Sequence, residues 1–161
     1  MSKVTKILYA TDLSESAKSA MTWAISLAEK YDAAVTIIHV IPDLASMGYD
    51  LSVHFSADQL SQINTEEQAK AMDSIKERVK SVCEEMKNDI PSCRIDLNDV
   101  IIKAGHPVQE IIAAAEDGKY DMVVMGTHGH SLISDLLIGS VARGVVHKCK
   151  APVLTIRLAA E

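Results

Sequence analysis

The sequence of 161 residues is poor in cysteine and in aromatic residues, and it contains no long apolar run. Its three cysteines, Cys83, Cys93 and Cys149, are an odd number at unrelated spacings without a CxxC pair, which argues against a disulfide framework and a zinc knuckle. No apolar run approaches the roughly 20 residues that cross a bilayer, and residues 1–7 lack the apolar stretch of a signal peptide. We therefore expect a cytoplasmic protein that does not enter a membrane.

Basic residues are also in the minority. There are 16 Lys and Arg residues against 22 Asp and Glu, which gives a net charge of −6. General nucleic-acid binders and proteins of anionic membranes need a basic face, so neither class is favoured. The balance still allows one small anion held by backbone amides. Hydrophobic residues make up 48% of the chain, enough for a sizeable core, and we expect a single domain over residues 1–161.

Short β-branched runs alternate with longer helical patterns along the chain. Strands are predicted at residues 6–10, 34–41 (stopped by Pro42), 99–104, 120–125 and 152–157. Helices are predicted at residues 14–31, at 58–88, from Pro107 to a C-cap at Gly118, and at 139–149, while residues 42–57 are interpreted as a long loop. The expected inner faces are Ala17, Ala20, Met21, Ala24, Leu27, Ala28 and Tyr31 in the first helix and Met72, Ile75, Val79, Val82 and Met86 in the second.

The alternation of strands and helices predicts an α/β protein with a parallel sheet. Strand runs as apolar as these are typical of strands buried on both faces, with helices on both sides of the sheet. In such sheets ligands bind beyond the carboxyl ends of the strands, where the strand order reverses. The loops that matter for function are therefore those after Ala10, Ile41, Ala104 and Met125.

Glycine placement is the most informative feature, because six of the seven glycines lie after position 100. Gly126 follows a predicted strand, Gly129 comes after two more residues, and Gly139-Ser140 precedes a helical run. Gly126 and Gly129 allow positive φ and let backbone approach a ligand without an intervening Cβ. A helix start at Gly139-Ser140 offers free N–H groups, the positive end of a dipole and a hydroxyl, so these residues could cradle phosphate without a lysine. Turn and cap residues without any ligand would give the same pattern.

Several other residues are open to a structural interpretation. Asp12 is either a helix N-cap or a ligand contact, and Ser14 could equally be the cap. Ser140 is likewise a suitable N-cap without a ligand. His128-x-His130 could bind a metal, but two histidines in a loop are weak evidence. The remaining histidines have no ligand spacing and are interpreted as structural: His39, His54, His106 and His147.

Well-known catalytic and binding motifs are missing. There is no GxxxxGK[ST] of a P-loop, no GxGxxG after the first strand and no complete GxSxG around Ser131. A receiver-type signalling domain would need an aspartate at the end of the third strand, which instead ends Lys103-Ala104-Gly105. A dimeric interaction module that binds no nucleotide remains an alternative.

The glycine pattern carries a specific resemblance. Gly126-Thr127-His128-Gly129, nine further residues and then Gly139-Ser140 match the G-x2-G-x9-G-[S/T] signature, and the sequence resembles the universal stress protein family. The segments at residues 9–17, 105–107 and 151–156 also resemble that family. The likeness covers essentially the whole chain and is weakest across residues 42–70.

The resemblance implies a fold and a function. The fold would be a three-layer α/β sandwich with a five-stranded parallel sheet of order 3-2-1-4-5, similar to the adenine nucleotide alpha hydrolases. Members with the glycine signature form the ATP-binding branch, so the resemblance implies ATP as ligand, with Mg²⁺ or Mn²⁺ shared with the phosphates. It further implies a homodimer through Pro152–Arg157 and a regulator or sensor in the stress response. Because the predicted phosphate loop contains no lysine or arginine before Arg143, we expect at most slow ATP hydrolysis or autophosphorylation.

Roles for individual residues follow from the same resemblance. Asp12 would contact the ribose or the adenine side of the crevice, and the backbone of Val40 would meet the adenine edge. Ala10 and Thr11 would line the base pocket. Amides near the glycines would hold the ribose and the phosphates, and His128 and His130 lie within reach of phosphate. The complete set of predicted site residues is Ala10, Thr11, Asp12, Val40, Gly126, Thr127, His128, Gly129, Gly139, Ser140 and Val141.

Overall fold

The computed structural model describes residues 3–42, eight positions between 70 and 85, residues 100–128 and residues 138–157. The elements with defined bounds are β1 (Lys6–Ala10), α1 (Glu15–Tyr31), β2 (Ala34–Pro42), β3 (Val100–Gly105), α2 (Pro107–Asp117), β4 (Met122–Gly126), α3 (Ser140–Lys148) and β5 (Val153–Ile156). Across these described parts of the chain, no helix has the length and apolar character needed to cross a membrane.

The predicted helix at 58–88 is described only in part. Its eight described positions are all helical and mostly exposed: Lys70, Asp73, Lys76, Glu77, Lys80, Ser81, Glu84 and Glu85. They belong to the polar side of the predicted pattern. The predicted apolar stripe of Met72, Ile75, Val79, Val82 and Met86, like the loop at residues 43–57, lies outside the described residues.

The five strands form one parallel sheet in the order β3-β2-β1-β4-β5. The fold class and the strand order are therefore confirmed. β1 lies between β2 and β4, and Ala10 at its end pairs with Ile38 on one side and with Met125 on the other. From β1 the chain continues to β2 on one side, whereas from β4 it continues to β5 on the other. The strand order reverses between β1 and β4, and this reversal opens a crevice at the carboxyl ends of the central strands.

Alternating residues of the strands divide the core into two clusters, one on each face of the sheet. Ile7 and Tyr9 of β1 pack into the cluster with α1, whereas Leu8 and Ala10 pack into the cluster with α2 and α3. All four side chains are almost completely buried. The sheet is thus the middle layer of three, and both of its faces are apolar, as the strand composition indicated.

Helix α1 matches its predicted span, but its inner face is shifted. The predicted Ala17, Ala20, Met21 and Ala24 are buried, and so is Ile25, which the pattern missed. The predicted Tyr31 is 45% exposed, because it is the last residue of the helix and the chain turns away at Asp32, which has a φ of 52°.

The remaining boundaries move by one or two residues. Pro42 belongs to β2 and pairs with Gly105, which a proline can do where its missing N–H is not needed by the neighbouring strand. β4 begins at Met122 rather than Tyr120, because the Tyr120 amide donates to the Ala115 carbonyl and so still belongs to the turn that follows α2.

Candidate functional site

A cavity of about 500 Å³ lies at the carboxyl ends of the central strands, beside α2 and α3. Its lining brings together segments that are far apart in the sequence. Every predicted site residue that the structure describes lines it: Ala10, Thr11, Asp12, Val40, Gly126, Thr127, His128, Gly139, Ser140 and Val141. Gly129 and His130 lie outside the described residues. Pockets for small molecules are typically 300–1,000 Å³, so the volume suits one ligand of moderate size.

The cavity also has lining residues that the sequence motifs did not indicate. These are Leu13, Ala17, Ile38, His39, Pro42, Pro107, Ile111, Met125 and Ala142. Strand periodicity could have identified two of them, since Ile38 shares a face with Val40 and Met125 directly precedes Gly126. The helix residues belong to the inner faces of their helices and are indistinguishable from ordinary core positions in the sequence.

One wall of the cavity is apolar. Ile38, Val40, Ile111, Met125 and Ala142 are at most 8% exposed and belong to the core cluster on the α2 and α3 face of the sheet. They therefore form a rigid surface that offers no side-chain hydrogen bonds. A flat, apolar part of a ligand is the kind of group that such a wall accommodates.

Two hydrogen bonds fix the end of β1 against β2. The Thr11 amide donates to the Ile38 carbonyl at 3.0 Å, and Nδ1 of His39 lies 2.7 Å from the Thr11 carbonyl oxygen. Because a carbonyl only accepts, Nδ1 carries the proton in this contact. His39 is therefore structural, as predicted, although it also borders the cavity.

The cap geometry of α1 excludes the N-cap alternative for Asp12. Ser14 is the N-cap, and its hydroxyl accepts a hydrogen bond from the Ala17 amide at 3.2 Å. Asp12 lies two residues earlier, where its Oδ1 accepts the Ser14 amide at 3.0 Å. The helix thus has its cap without Asp12, and the Asp12 side chain supports the turn while bordering the cavity.

The opposite end of the cavity is built around Thr127. Its amide donates to the Ile156 carbonyl of β5 at 2.9 Å, and its carbonyl accepts the Gly139 amide at 2.7 Å. A Cβ at position 139 would lie 2.9 Å from that same carbonyl oxygen, closer than real Cβ contacts. Position 139 therefore requires glycine, because the Thr127 carbonyl lies too close for a side chain. This close contact fixes the start of α3 against the end of β4.

Gly126 does not use the positive φ that glycine allows. Gly126 is still part of β4, where it pairs with Ile156, so its backbone is extended. Gly139 has a φ of −56°, and the positive glycine φ in the described chain is at Gly105, at 146°. The described cavity glycines thus serve contact and pairing rather than an unusual turn.

Helix α3 presents its N-terminus to the cavity. Its N-cap is Gly139, so the interpretation of Ser140 as the cap is wrong, because Ser140 is the first helical residue. No side chain caps this end, and no acidic residue lies in the first turn. The N-terminal amides and the positive end of the helix dipole are therefore available at the cavity for an anion.

His128 is the unusual side chain in the lining. Its Nδ1 lies 2.9 Å from the Thr127 hydroxyl, while its Nε2 is buried and has no hydrogen-bond partner among the described residues. Buried polar atoms nearly always have a partner, so this nitrogen needs an explanation. The other titratable side chains in the described lining are Asp12 and His39, and there is no lysine or arginine in it.

The described residues contain no group of three or more His, Cys, Asp or Glu side chains that could hold a metal ion. Asp12 alone offers a carboxylate to the described cavity. A divalent cation prefers several oxygen ligands. The described part of the site therefore does not fit a metal ion bound by protein side chains alone.

Comparison with known proteins gives consistent matches over almost the whole chain. A model of the universal stress protein family matches residues 3–157. Universal stress protein MJ0577 of Methanocaldococcus jannaschii is 29% identical over 153 residues, covering 94% of this chain and 94% of the relative. Universal stress protein MJ0531 of the same organism is 32% identical over 152 residues, covering 94% of this chain and 81% of the relative.

Solved structures extend the likeness to three dimensions. The structure of MJ0577, determined for a structure-based assignment of its biochemical function, superimposes with a TM-score of 0.77 at 26% identity and covers 99% of this chain and 100% of that one. A universal stress protein in complex with cAMP superimposes with a TM-score of 0.59 at 21% identity, covering 98% of this chain and 100% of that one. The second comparison supports the fold alone.

Proposed function

This chain belongs to the universal stress protein family, and we propose that it binds an adenine nucleotide, ATP in the first place, as a regulator or sensor in the stress response. One observation carries the proposal: a single cavity joins an apolar wall to the uncapped start of α3. A nucleotide has the same two-part character, with a flat base at one end and anionic phosphates at the other.

The base would lie against the apolar wall. Ala10 and Thr11 line this part of the site, and the backbone of Val40, at the end of β2, would meet the polar edge of the adenine. Asp12, whose backbone follows β1, would accept hydrogen bonds from the ribose hydroxyls. The bonds of Thr11 to Ile38 and His39 hold this region in place before any ligand arrives.

The phosphates would lie at the start of α3. The backbone amides of Ser140 and Val141 and the Ser140 hydroxyl would bind them, together with backbone groups of Gly126 and Gly129. The Gly139 amide, which was also predicted to bind phosphate, already donates to the Thr127 carbonyl. Thr127 and His128 complete this end of the site. Because protein side chains alone do not fit a metal ion here, an accompanying Mg²⁺ or Mn²⁺ would be coordinated mainly by phosphate oxygens and water.

Two further observations support an adenine nucleotide. The sequence keeps the G-x2-G-x9-G-[S/T] spacing, which places glycines where β4 ends and where α3 begins. In addition, a universal stress protein with the same fold has been solved in complex with cAMP, a ligand that contains adenine and a phosphate.

Regulation fits the site better than rapid turnover. Fast phosphoryl transfer requires cationic groups and a positioned nucleophile next to the phosphates. The described lining provides no lysine or arginine. We therefore propose a binding protein whose occupied and empty states differ for a partner, with slow hydrolysis at most.

The open edge of the sheet supports a second element of the proposal, a homodimer. β5 is an outer strand of the described sheet, and its four residues are all partly exposed. An outer strand has backbone groups without a neighbouring strand, which favours pairing with a second copy. If the protein bound no nucleotide, the open edge of β5 would favour the alternative function, a dimeric interaction module.

Calorimetric titration with MgATP tests the nucleotide site, and two glycine variants make the test specific to the phosphate end. Gly139→Ala places a methyl group against the Thr127 carbonyl at the cavity. Gly144→Ala is the matched control, since its new methyl would lie 2.8 Å from Val108 in the packing between α3 and α2. Both variants perturb α3, but only the first changes the proposed phosphate site.

We expect Gly139→Ala to weaken MgATP binding by at least about tenfold, the loss that corresponds to one charged hydrogen bond. Gly144→Ala should lower the melting temperature with little change in affinity. Equal losses of affinity in the two variants would contradict the phosphate assignment. Absence of MgATP binding to the unmodified protein would favour the interaction module instead.

A further inference from the structure

We propose that His39 and Thr11 are positioning residues: they end the pairing of β1 with β2 before it reaches Val40, and so keep the Val40 backbone available to the edge of a nucleobase. The inference rests on the proposed function, because it concerns the base of a bound nucleotide. It deepens that function, since the two side chains would set which bases the site accepts by acting through the backbone of Val40.

The backbone groups of Val40 face the side of β1. The Thr11 amide donates to the Ile38 carbonyl at 3.0 Å, so the backbone groups of Ile38 point towards β1. Backbone groups alternate between the two sides of a strand, and Val40, two residues later, therefore points the same way. A longer parallel ladder would pair the Val40 amide with the Thr11 carbonyl and the Val40 carbonyl with the Leu13 amide.

His39 occupies the first of these two ladder partners. Its Nδ1 donates to the Thr11 carbonyl oxygen at 2.7 Å. The regular pairing of β1 with β2 ends at Ala10 and Ile38, and the described backbone hydrogen bonds include none between the Val40 amide and the Thr11 carbonyl. An imidazole thus replaces a strand amide at this carbonyl, and the Val40 amide is left without Thr11 as its partner.

The Thr11 side chain occupies the second ladder partner. Its hydroxyl accepts a hydrogen bond from the Leu13 amide at 3.0 Å, so that amide is turned away from the Val40 carbonyl. Leu13 has a φ of 65°, a left-handed conformation that does not occur within a regular strand. The chain therefore leaves the sheet at this turn, and the Val40 carbonyl is left without Leu13 as its partner.

The space beside the Val40 backbone belongs to the cavity. Val40 lines it together with Thr11, Leu13 and His39. Val40 is only 8% exposed, and buried backbone amides and carbonyls require hydrogen-bond partners. One donor and one acceptor thus lie side by side at the wall of the cavity, and the edge of a base would take the place of the missing strand residues.

This donor and acceptor discriminate between bases. Adenine presents an acceptor, N1, beside a donor, the 6-amino group, and this pair complements an amide and a carbonyl. Hypoxanthine, the base of ITP, carries a proton on N1 and an oxygen at position 6, so each of its groups would meet one of its own kind. Mismatched polar groups that lose water are costly. ITP therefore keeps the ribose and phosphates of ATP but loses the match to Val40.

Calorimetric titration with MgATP and with MgITP tests the inference in two variants of His39. His39→Leu has a side chain of moderate size without a donor. His39→Asn is the matched control, because its side-chain nitrogen is as many bonds from Cβ as Nδ1 and still donates. The two nucleotides differ only in the base, so the comparison isolates the base edge from the ribose and the phosphates.

We expect His39→Leu to weaken MgATP binding by about three- to tenfold, the loss that corresponds to one neutral hydrogen bond, because the released Thr11 carbonyl can then accept the Val40 amide. MgITP binding should change much less. His39→Asn should recover most of the MgATP affinity. Thr11→Val should show the same loss confined to MgATP, whereas Thr11→Ser, which keeps the hydroxyl, should not.

Several results would overturn the proposal. Equal losses for MgATP and MgITP in His39→Leu would refute an action through the Val40 backbone, while leaving the nucleotide site standing. A loss in His39→Asn as large as that in His39→Leu would show that the donated hydrogen bond is not what matters. Failure of MgATP to bind the unmodified protein would overturn both the inference and the proposed function.

Amide hydrogen exchange, followed in ¹H–¹⁵N spectra, provides a test that needs no variant. In the nucleotide-free protein the Val40 amide should exchange faster than the Ile38 amide, which lies within the ladder, and saturating MgATP should slow it. In nucleotide-free His39→Leu the Val40 amide should be better protected than in the unmodified protein. Equal protection of Val40 and Ile38 in the nucleotide-free unmodified protein would refute the inference even if the variants failed to fold.

Discussion

Single side chains at the start of α1 have separable roles in folding and binding. Ser14 caps the helix through the Ala17 amide, so Ser14→Ala should lower the free energy of unfolding by about 1 kcal/mol.

Asp12→Asn keeps an oxygen for the Ser14 amide but removes the charge. We expect it to retain stability and to weaken MgATP binding by about tenfold. Denaturant unfolding and calorimetry measure both properties, and the reverse pattern would make Asp12 a structural residue only.

Asp121 provides a pH-dependent contribution at the other end of β1. Its Oδ2 accepts hydrogen bonds from the Thr5 amide at 2.8 Å, the Thr5 hydroxyl at 2.9 Å and the Lys6 amide at 2.9 Å. The Thr5 amide, followed by the Lys6 amide and the Thr5 hydroxyl, lowers the pKa of Asp121 below its usual value of 3.8. The stabilisation is therefore present above pH 3.8 and is lost as the pH falls through the lower, folded-state pKa.

We predict that Asp121→Asn lowers the melting temperature at neutral pH and that its difference from the unmodified protein shrinks below pH 3.8. The protonated acid then resembles the amide. Asp117→Asn, at the exposed end of α2, is the control for the loss of one surface charge. Thermal unfolding at several pH values would contradict the prediction if the Asp121→Asn difference stayed constant.

At the residue scale, the sequence identified chemistry better than conformation. Glycines at 126 and 139 were recognised as special, but the reason at 139 is a contact between residues twelve positions apart, Thr127 and Gly139, which no local rule contains. The unpaired Nε2 of His128 could not be predicted from the sequence either, because burial of a single atom depends on the packing around it.

Among the elements, β5 offers the clearest test of the proposed dimer. The carbonyl of Pro152 accepts a hydrogen bond from the Val123 amide of β4, and the carbonyl of Ile156 accepts one from the Thr127 amide just after β4. Since backbone groups alternate along a strand, those of Thr155 point to the open edge. Thr155→Pro should therefore remove an edge donor without breaking the ladder to β4. We expect this variant to shift a dimer to the monomer in light scattering, whereas Thr155→Val, which keeps the amide, should not.

A stable monomer of the unmodified protein at micromolar concentration would contradict the dimer directly. A dimer that survives Thr155→Pro with unchanged stability would instead place the interface elsewhere than on β5. Circular dichroism of each variant separates loss of pairing from loss of fold.

Elements were largely predictable because their signals are local. Strands with continuous β-branched and apolar residues, such as residues 34–40 of β2, have one interpretation in an α/β chain. Boundaries were less predictable, since they depend on neighbours: Pro42 joins β2 because Gly105 lies beside it, and Tyr120 leaves β4 because its amide is bonded to Ala115.

At the scale of the whole molecule, ligand binding should be visible as stability. A ligand that binds only the folded state adds about 2.7 kcal/mol at a concentration one hundred times its Kd. MgATP should therefore raise the melting temperature of the unmodified protein, and Gly139→Ala should reduce this increase more than Gly144→Ala. An increase of the same size in both variants would show that the stabilisation does not come from the proposed phosphate end.

Turnover gives a second test at this scale. The described lining lacks the cationic groups of fast phosphoryl transfer, so we predict a rate of ATP hydrolysis far below the roughly 1–100 s⁻¹ of kinases. Phosphate release under single-turnover and steady-state conditions measures this rate. A value within the kinase range would refute the assignment as a binding protein.

The bond between the Thr127 carbonyl and the Gly139 amide, at 2.7 Å, joins the end of β4 directly to the start of α3. The spacing of these two ends is therefore set by a direct contact and not by the length of the chain that connects them. A ligand that left this bond intact would find the strand end and the helix start in the same register in the empty and the occupied protein.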